Sequence, residues 1–393
     1  MIEIDGSHRE GGGQILRTAL SLSCLSGKPF RISNIRKGRK KPGLMPQHLT
    51  AVRAAQLLSS ADVEGDETGS TELSFSPCEV GIGDFFFDIG TAGSTSLVLQ
   101  TLIPAVVFLP AHPCPGKMGN RADKERADKF GGKTTITLKG GTHVPFSPSF
   151  HYLAEVFVPF LRMIGIDLQL TIDSYGFYPK GGGKVRADIR PSTEIKPLKV
   201  AERGNVLRLK GYSGVGNLPM SIAERQMKSL IEKLYSPVIP SMPSFLQPAE
   251  FAEERKKGVD RKFERHPVDI ELLNVLTRGQ GTFVFLKAES ENSIAGFTSL
   301  GERGKKAEIV GAEAAEDFIE YYSANAALDS HMADQIVLYL SMCREESVFT
   351  TSSVTEHLLT NLWAISLFHE YRYSVEGEVG NRGKVRINPN SKI

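Results

Sequence analysis

Ser347-Val348-Phe349-Thr350-Thr351-Ser352-Ser353-Val354-Thr355-Glu356-His357-Leu358-Leu359-Thr360-Asn361 holds a strand, a polar turn and the start of a helix in direct succession. Val348 and Phe349 give the strand its apolar, β-favouring character. Leu358, Leu359, Leu362, Ile365 and Leu367 follow at helical spacing, which places His357 in the first turn. Ser353 or Thr355 can cap that helix by accepting an orphan amide hydrogen bond. A histidine there faces the positive end of the helix dipole, which favours a neutral imidazole and attracts anions. Neutral imidazole is a nucleophile, so the stretch can be read as an attacking group beside a phosphate. It can equally be read as a polar cap residue, and the surrounding chain decides between the two.

Working outward, the pattern repeats. The helix Met332 to Met342, the strand Ser347 to Thr351, the helix His357 to Phe368 and the strands Arg372 to Glu378 and Gly383 to Ile387 form one unit. A second runs through the helix Ser94 to Phe108, the strand Thr134 to Lys139, the helix Pro148 to Ile164 and the strands Asp167 to Asp173 and Gly183 to Ile189. A third comprises the helix Gln14 to Ser26, the strand Phe30 to Ile35, the helix Pro46 to Ser59 and the strands Asp62 to Gly65 and Glu72 to Ser76. Each reads helix, strand, helix, strand, strand, usually with a strand ahead of the first helix. The fold class expected is α/β: three repeated units, each two helices packed on a four-stranded sheet. Residues 204–327 break the pattern and read as a small inserted α/β domain, leaving 1–203 and 328–393 as the core. The run 110–133 reads as a surface loop, the proline-rich run Ser236 to Pro248 as a loop and Glu253 to Arg265 as an exposed helix. The repeat also aligns His48, His151 and His357 near the starts of equivalent helices, where they could line a phosphate-rich cleft.

The chain of 393 residues is 40% hydrophobic and 23% charged, the balance of a soluble globular protein with a substantial core. No apolar run is long enough to span a bilayer, and no signal peptide is expected from Met1-Ile2-Glu3-Ile4-Asp5. Four scattered cysteines fit neither a disulfide scaffold nor a metal site, so a reducing, cytoplasmic setting is expected. The net charge is +2, yet no acid lies between Glu10 and Asp62, while Arg17, Lys28, Arg31, Arg36, Lys37, Arg39, Lys40, Lys41 and Arg53 do. Such a stretch leans towards a polyanion or phosphate ligand. Neither a dinucleotide fingerprint nor a P-loop is present: before Gly132-Lys133-Thr134 the first glycine is replaced by Ala127, and a strand follows.

Glu10-Gly11-Gly12-Gly13-Gln14-Ile15-Leu16-Arg17, Arg39-Lys40-Lys41-Pro42-Gly43-Leu44, Gln47-His48-Leu49, Ser94 to Gln100, Gly176-Phe177-Tyr178-Pro179-Lys180-Gly181-Gly182-Gly183, Met332-Ala333-Asp334-Gln335 and His357-Leu358-Leu359-Thr360-Asn361 together resemble the RNA 3′-terminal phosphate cyclase family. The resemblance spans nearly the whole chain. It implies an ATP-dependent conversion of an RNA 3′-phosphate to a 2′,3′-cyclic phosphate, with Mg²⁺ or Mn²⁺ as the metal. It implies His357 as the nucleophile that takes AMP, and Gln100, His331, Met332, Ala333, Asp334 and Gln335 as nucleotide contacts. Arg17, Arg36, Arg39, Gln47 and His48 fall where the family holds substrate phosphate, and Glu10 looks like the carboxylate near the metal. The implied partner is RNA with a 3′-phosphate end, with no membrane and with room for a homodimer. The 110–133 loop and the insert around Ser236 to Arg265 are longer than the family pattern, which bears on substrate preference. Other readings are a non-catalytic, cyclase-like scaffold in ribosome assembly, or an enolpyruvyl transferase, since those enzymes also repeat α/β units.

Overall fold

The structure, a computed structural model, describes residues 1–108, 132–192, 194–236 and 268–389. Unit one comprises β1 (Ile2–Asp5), α1 (Gln14–Ser26), β2 (Phe30–Ser33), α2 (Pro46–Ser59), β3 (Asp62–Glu64) and β4 (Leu73–Ser76). Its sheet order is β1-β2-β4-β3. β1 and β2 are parallel, which requires a crossover, and α1 is that crossover. The remaining pairs are antiparallel.

Unit two repeats this plan. It contains β5 (Asp84–Asp88), α3 (Thr95–Val107), β6 (Thr134–Gly140), α4, β7 (Leu168–Ser174) and β8 (Gly183–Ile189), in the sheet order β5-β6-β8-β7. Helix α4 is built from Phe150–Tyr152, a wider π-helical turn Leu153–Phe157, and Val158–Met163. Unit three opens with a two-residue strand, β9 (Lys199–Val200), and is then interrupted. The interruption supplies β10 (Val206–Gly216), α5 (Met220–Leu234), β11 (Val268–Asn274), β12 (Gly281–Ser290), β13 (Ile294–Leu300) and α6 (Ala307–Ala324). These strands make a separate sheet, β11-β10-β12-β13, with its own apolar cluster around Leu209, Leu230, Leu286 and Phe318.

The chain returns to complete unit three with α7 (Ser330–Ser341), β14 (Ser347–Thr351), α8 (Glu356–Phe368), β15 (Tyr371–Glu376) and β16 (Gly383–Pro389). Its sheet runs β9-β14-β16-β15, the order of the other two units, again with one parallel pair at the start. The insert therefore enters between the leading strand of a unit and its first helix. The expected loop 110–133 and the expected loop and helix between Ser236 and Arg265 fall almost wholly outside the described residues. Cys24 and Cys343 are buried thiols, whereas Cys78 is disulfide-bonded, which the sequence reading did not anticipate. Among the described residues no helix is long and apolar enough to cross a membrane.

Helix α1 sits at the centre and packs on α2, α3 and α8. Its residues from Ile15 to Cys24 are nearly all buried, polar ones included, so those must find partners inside. Ser21 Oγ donates to the Thr101 carbonyl of α3 at 2.7 Å, and Thr18 Oγ1 donates to Asn361 Oδ1 of α8 at 2.7 Å. These bonds fix how the helices of different units register on one another. A similar buried acceptor ties the insert down. Asp329 caps α7 through the Met332 amide (2.8 Å) and also accepts from Tyr152 Oη (2.7 Å) and the Gly296 amide (3.3 Å).

Asp329→Ala removes a cap and orphans a buried tyrosine hydroxyl, so the chain is expected to lose about 2–4 kcal/mol. Denaturant unfolding of the two proteins measures this. A loss below about 0.5 kcal/mol, the scale of an ordinary surface change, would show that the bonds do not join insert to core.

Candidate active site

Thr355 is the N-cap of α8, its hydroxyl accepting from the Leu358 amide at 3.0 Å. That bond fixes His357 in the first turn, side chain half-exposed. The loop between β1 and α1 then runs across this helix. His8 stacks on Trp363 with centroids 3.8 Å apart and planes 15° apart. Arg9 pairs with Glu356 at 3.1 Å, Glu10 Oε2 lies 2.7 Å from His357 Nδ1, and Gln14 Nε2 donates to Asn361 Oδ1 at 2.8 Å. Four contacts thus lay the loop and first helix of unit one along α8 of unit three.

Close approach explains the glycines. A Cβ on Gly13 would run into the His48 ring and come within 3.0 Å of Arg17 Nη1. Any side chain there would push two of the expected site residues apart.

The charges are arranged around Glu10. Its Oε1 pairs with Arg39, and its buried Oε2 has His357 as its close partner. The His357 pairing, aided by Arg39, holds the Glu10 carboxyl below its ordinary value against the opposing effect of burial. In turn Glu10 raises the His357 pKa, with help from Asp334, against burial and Arg17. The dipole argument alone pointed to a readily neutral ring, and the carboxylate outweighs it. When the ring is neutral, an Nδ1–H turned towards Glu10 leaves the Nε2 lone pair free, and the carboxylate stabilises positive charge as it develops.

Arg17 is partly buried, donates to Gln14 Oε1 at 2.7 Å, and its guanidinium is pushed down to about 10 by burial, so it stays charged at neutral pH. His48 Nδ1 accepts from the Met45 amide at 3.2 Å. Burial and the nearby Arg17 and Arg36 push its pKa down to about 3, so this histidine is neutral. Arg36 turns inward and donates to the Lys41 and Gly43 carbonyls, each at 2.9 Å, bracing its own loop. Gln47 is half-buried beside Gly93.

On the other flank of His357 opens a cavity of about 580 Å³. Gln14, Arg17, Gln100, His331, Asp334, Gln335, His357 and Asn361 line it, with Phe297, Thr298 and Tyr321 from the insert. Gln100 Nε2 donates to Gln335 Oε1 at 2.7 Å, and burial pushes Asp334 up to about 6 against His331, His357 and Arg17. Met332 and Ala333, expected as nucleotide contacts, are fully buried in the core and do not line the cavity. His151 is not brought to the cavity either. It sits in an aromatic cluster with His143, Tyr212 and Phe283, bonds Tyr175 Oη at 3.1 Å, and is pushed down to about 3 by burial.

Glu10, the carboxylate expected near the metal, leaves its buried Oε2 without a hydrogen bond among the described residues. Arg39 pairs with its Oε1 and His357 Nδ1 lies 2.7 Å from its Oε2, and no group of three or more His, Cys, Asp or Glu among the described residues is arranged as an ion site. Sequence reasoning overlooked Asn361 as a joint, although a polar residue one turn beyond His357 in an apolar helix was a visible signal. Its side chain accepts from Gln14 and Thr18 and donates to the Asp334 carbonyl at 2.8 Å.

A family model described as "RNA 3'-terminal phosphate cyclase" matches residues 8–375, which include every residue of this arrangement. The chain belongs to the RNA 3′-terminal phosphate cyclase family. It is 42% identical over 379 residues to the protein of that name from Sulfolobus acidocaldarius, covering 96% of this chain and 97% of the relative. It is 39% identical to the one from Pyrobaculum aerophilum, covering 96% of each. A solved structure, the enolpyruvyl transferase NikO from Streptomyces tendae, matches with a TM-score of 0.23 at 9% identity over 99% of this chain and 66% of that one, too low to carry an argument. As a family member the chain is a cyclase enzyme, which sets aside the scaffold and transferase readings.

The pairing has a signed pH dependence. Because the Glu10 pKa lies below its ordinary 4.5, its share of stability is present above that value and lost as pH falls through the folded pKa. Because the His357 pKa lies above 6.5, its share is present below that value and lost as pH rises through the folded pKa. In Glu10→Gln the His357 ring should titrate at lower pH than in the wild type, as read by NMR of the imidazole carbons. An unchanged midpoint would mean that the carboxylate does not tune the ring.

Proposed function

We propose that the enzyme works by ATP-dependent adenylylation of His357, and that AMP then passes to the RNA 3′-phosphate before the ring closes. The supporting observation is the Glu10–His357 pair at 2.7 Å, standing where the cavity meets the glycine loop. Nε2 attacks the α-phosphorus of ATP, a P–N bond forms, and pyrophosphate leaves. An oxygen of the RNA 3′-phosphate then attacks that phosphorus, breaking the P–N bond and returning the ring. The product is an anhydride whose leaving group is AMP. The neighbouring 2′-OH attacks the 3′-phosphorus, losing its proton as AMP departs, and proximity alone lends this step several orders of magnitude.

Each residue has a part in this reading. Glu10 keeps Nε2 available for attack and steadies the cationic ring of the phosphoramidate. Gln100, His331, Asp334 and Gln335 receive the nucleotide in the cavity, whose volume falls in the range of small-molecule sites. Met332 and Ala333 serve only by holding the first turn of α7 in place. Arg17, Arg39, Gln47 and His48 meet the RNA phosphate, Arg17 acting through its planar fork of donors. Arg36 acts indirectly, by shaping its loop. Glu10, whose buried Oε2 lacks a hydrogen bond among the described residues, would face a divalent ion, which when bound would offset the charge of the triphosphate and the RNA phosphate.

Incubation with ATP labelled at the α-phosphorus should yield an acid-labile, alkali-stable adduct on the wild type and none on His357→Ala. Cyclisation of a 3′-phosphorylated oligoribonucleotide should fall by at least about 10³-fold in the same variant, the scale expected for loss of a nucleophile. Retained cyclisation in His357→Ala would refute the covalent route.

A further inference from the structure

His357 stands at a boundary between two unlike surfaces. One is the cavity of about 580 Å³, lined by the core and the insert and sized for a small molecule. The other is the loop from Asn34 to Leu44, none of which lines that cavity. This loop is built to be open and firm. The Gly43 amide donates to the Ile35 carbonyl at 2.8 Å, closing its ends, and the Leu44 amide donates to the Ser70 carbonyl at 2.9 Å. Arg36 fastens it from within through the Lys41 and Gly43 carbonyls. Asn34 and Arg36 adopt left-handed backbone, with φ of 54° and 55°, which turns the chain sharply enough to project the following residues.

What the loop projects is charge. Lys37, Lys40 and Lys41 are exposed, and no hydrogen bond or ion pair engages their ammonium groups among the described residues. The carboxylate that faces Lys37 is Asp5, which is already held by Ser7 and Asn34. Arg39, in the middle of the run, reaches back to Glu10 and so joins the lysines to His357. A reacting phosphate needs only the groups next to the histidine. Three further cations on a braced, open loop are suited to a ligand with more phosphates than the one that reacts.

We propose that Lys37, Lys40 and Lys41 form a track for the phosphates of single-stranded RNA upstream of the reacting 3′ end. The inference rests on the cyclase reading above and extends it: the cavity takes the nucleotide, and the loop takes the polymer. Lysine–phosphate contacts release counterions, and each on a single strand contributes about 0.7 to the slope of log affinity against log salt.

Binding of a fluorescent, 3′-phosphorylated RNA of about ten nucleotides is measured by anisotropy across a salt series, without ATP. In the triple variant Lys37→Ala/Lys40→Ala/Lys41→Ala the slope should shrink by about 2, three contacts at about 0.7 each. The triple arginine variant should keep the wild-type slope, since the charge is retained. In turnover, the wild type should prefer the longer RNA over a 3′-phosphorylated dinucleotide, and the alanine variant should lose that preference. An alanine variant with the wild-type slope overturns the track. Failure of the wild type to cyclise either RNA, with the slope difference intact, would overturn the enzyme reading and leave the track standing.

Discussion

A carboxylate and an imidazole from opposite ends of the chain meet at 2.7 Å, and the site exists only while they do. Glu10 belongs to the loop of unit one and His357 to the second helix of unit three, so the contact reports how the units are docked. Local sequence cannot create it. It needs α1 seated against α8, which the Thr18–Asn361 and Gln14–Asn361 bonds enforce, and it needs a loop without side chains at Gly12 and Gly13 so that Arg39, Arg17 and His48 can close in. The electrical balance is equally shared. Arg17 opposes charge on His357 while Asp334 supports it, so the ring answers to three elements at once.

The repeat clarifies why only one of three related histidines is left beside a carboxylate. All three sit in the first turn of the second helix of their unit. In unit one no side chain of Met45 can cap α2, and His48 itself accepts the Met45 amide, which fixes it as a structural acceptor. In units two and three Ser149 and Thr355 take the capping role, freeing the imidazoles. The insert then covers His151 with Tyr212, Phe283 and Phe285, and burial keeps that ring neutral. Only His357 is both uncapped and uncovered, and it alone gains a carboxylate. One residue type therefore has two lowered pKa values and one raised, set by neighbours rather than by helix position.

Much of the fold was legible because each unit alternates strong helical and strand periods. The bounds of α1, α2, β8 and β14 match what periodicity gives. Strand β11 was not legible, because Val268-Asp269-Ile270-Glu271 alternates acids with apolar residues beside a charged run and reads as exposed chain. The shortness of β9 hid the fact that the insert divides a unit. In the site, Gln100 and Gln335 could be named from sequence, but their mutual bond could not, since they lie far apart in the chain. Helical phase could have corrected Met332 and Ala333. Once Asp334 and Gln335 face the cavity, the preceding pair turns into the core.

The separation of cavity from open loop follows from the same architecture. An insert placed after β9 brings Phe297, Thr298 and Tyr321 to the space beside Gln100 and Asp334, which becomes a recess of about 580 Å³ between core and insert. The β2–α2 loop belongs to unit one, where no insert interrupts the chain, so its cations are left in solvent. A recess strengthens each polar contact with a compact ligand by removing water around it, whereas an exposed basic loop offers weak, additive, salt-sensitive contacts that suit a polymer. A single insertion point in a threefold repeat is thus enough to give two sides of one histidine different surfaces, with no change to the units themselves.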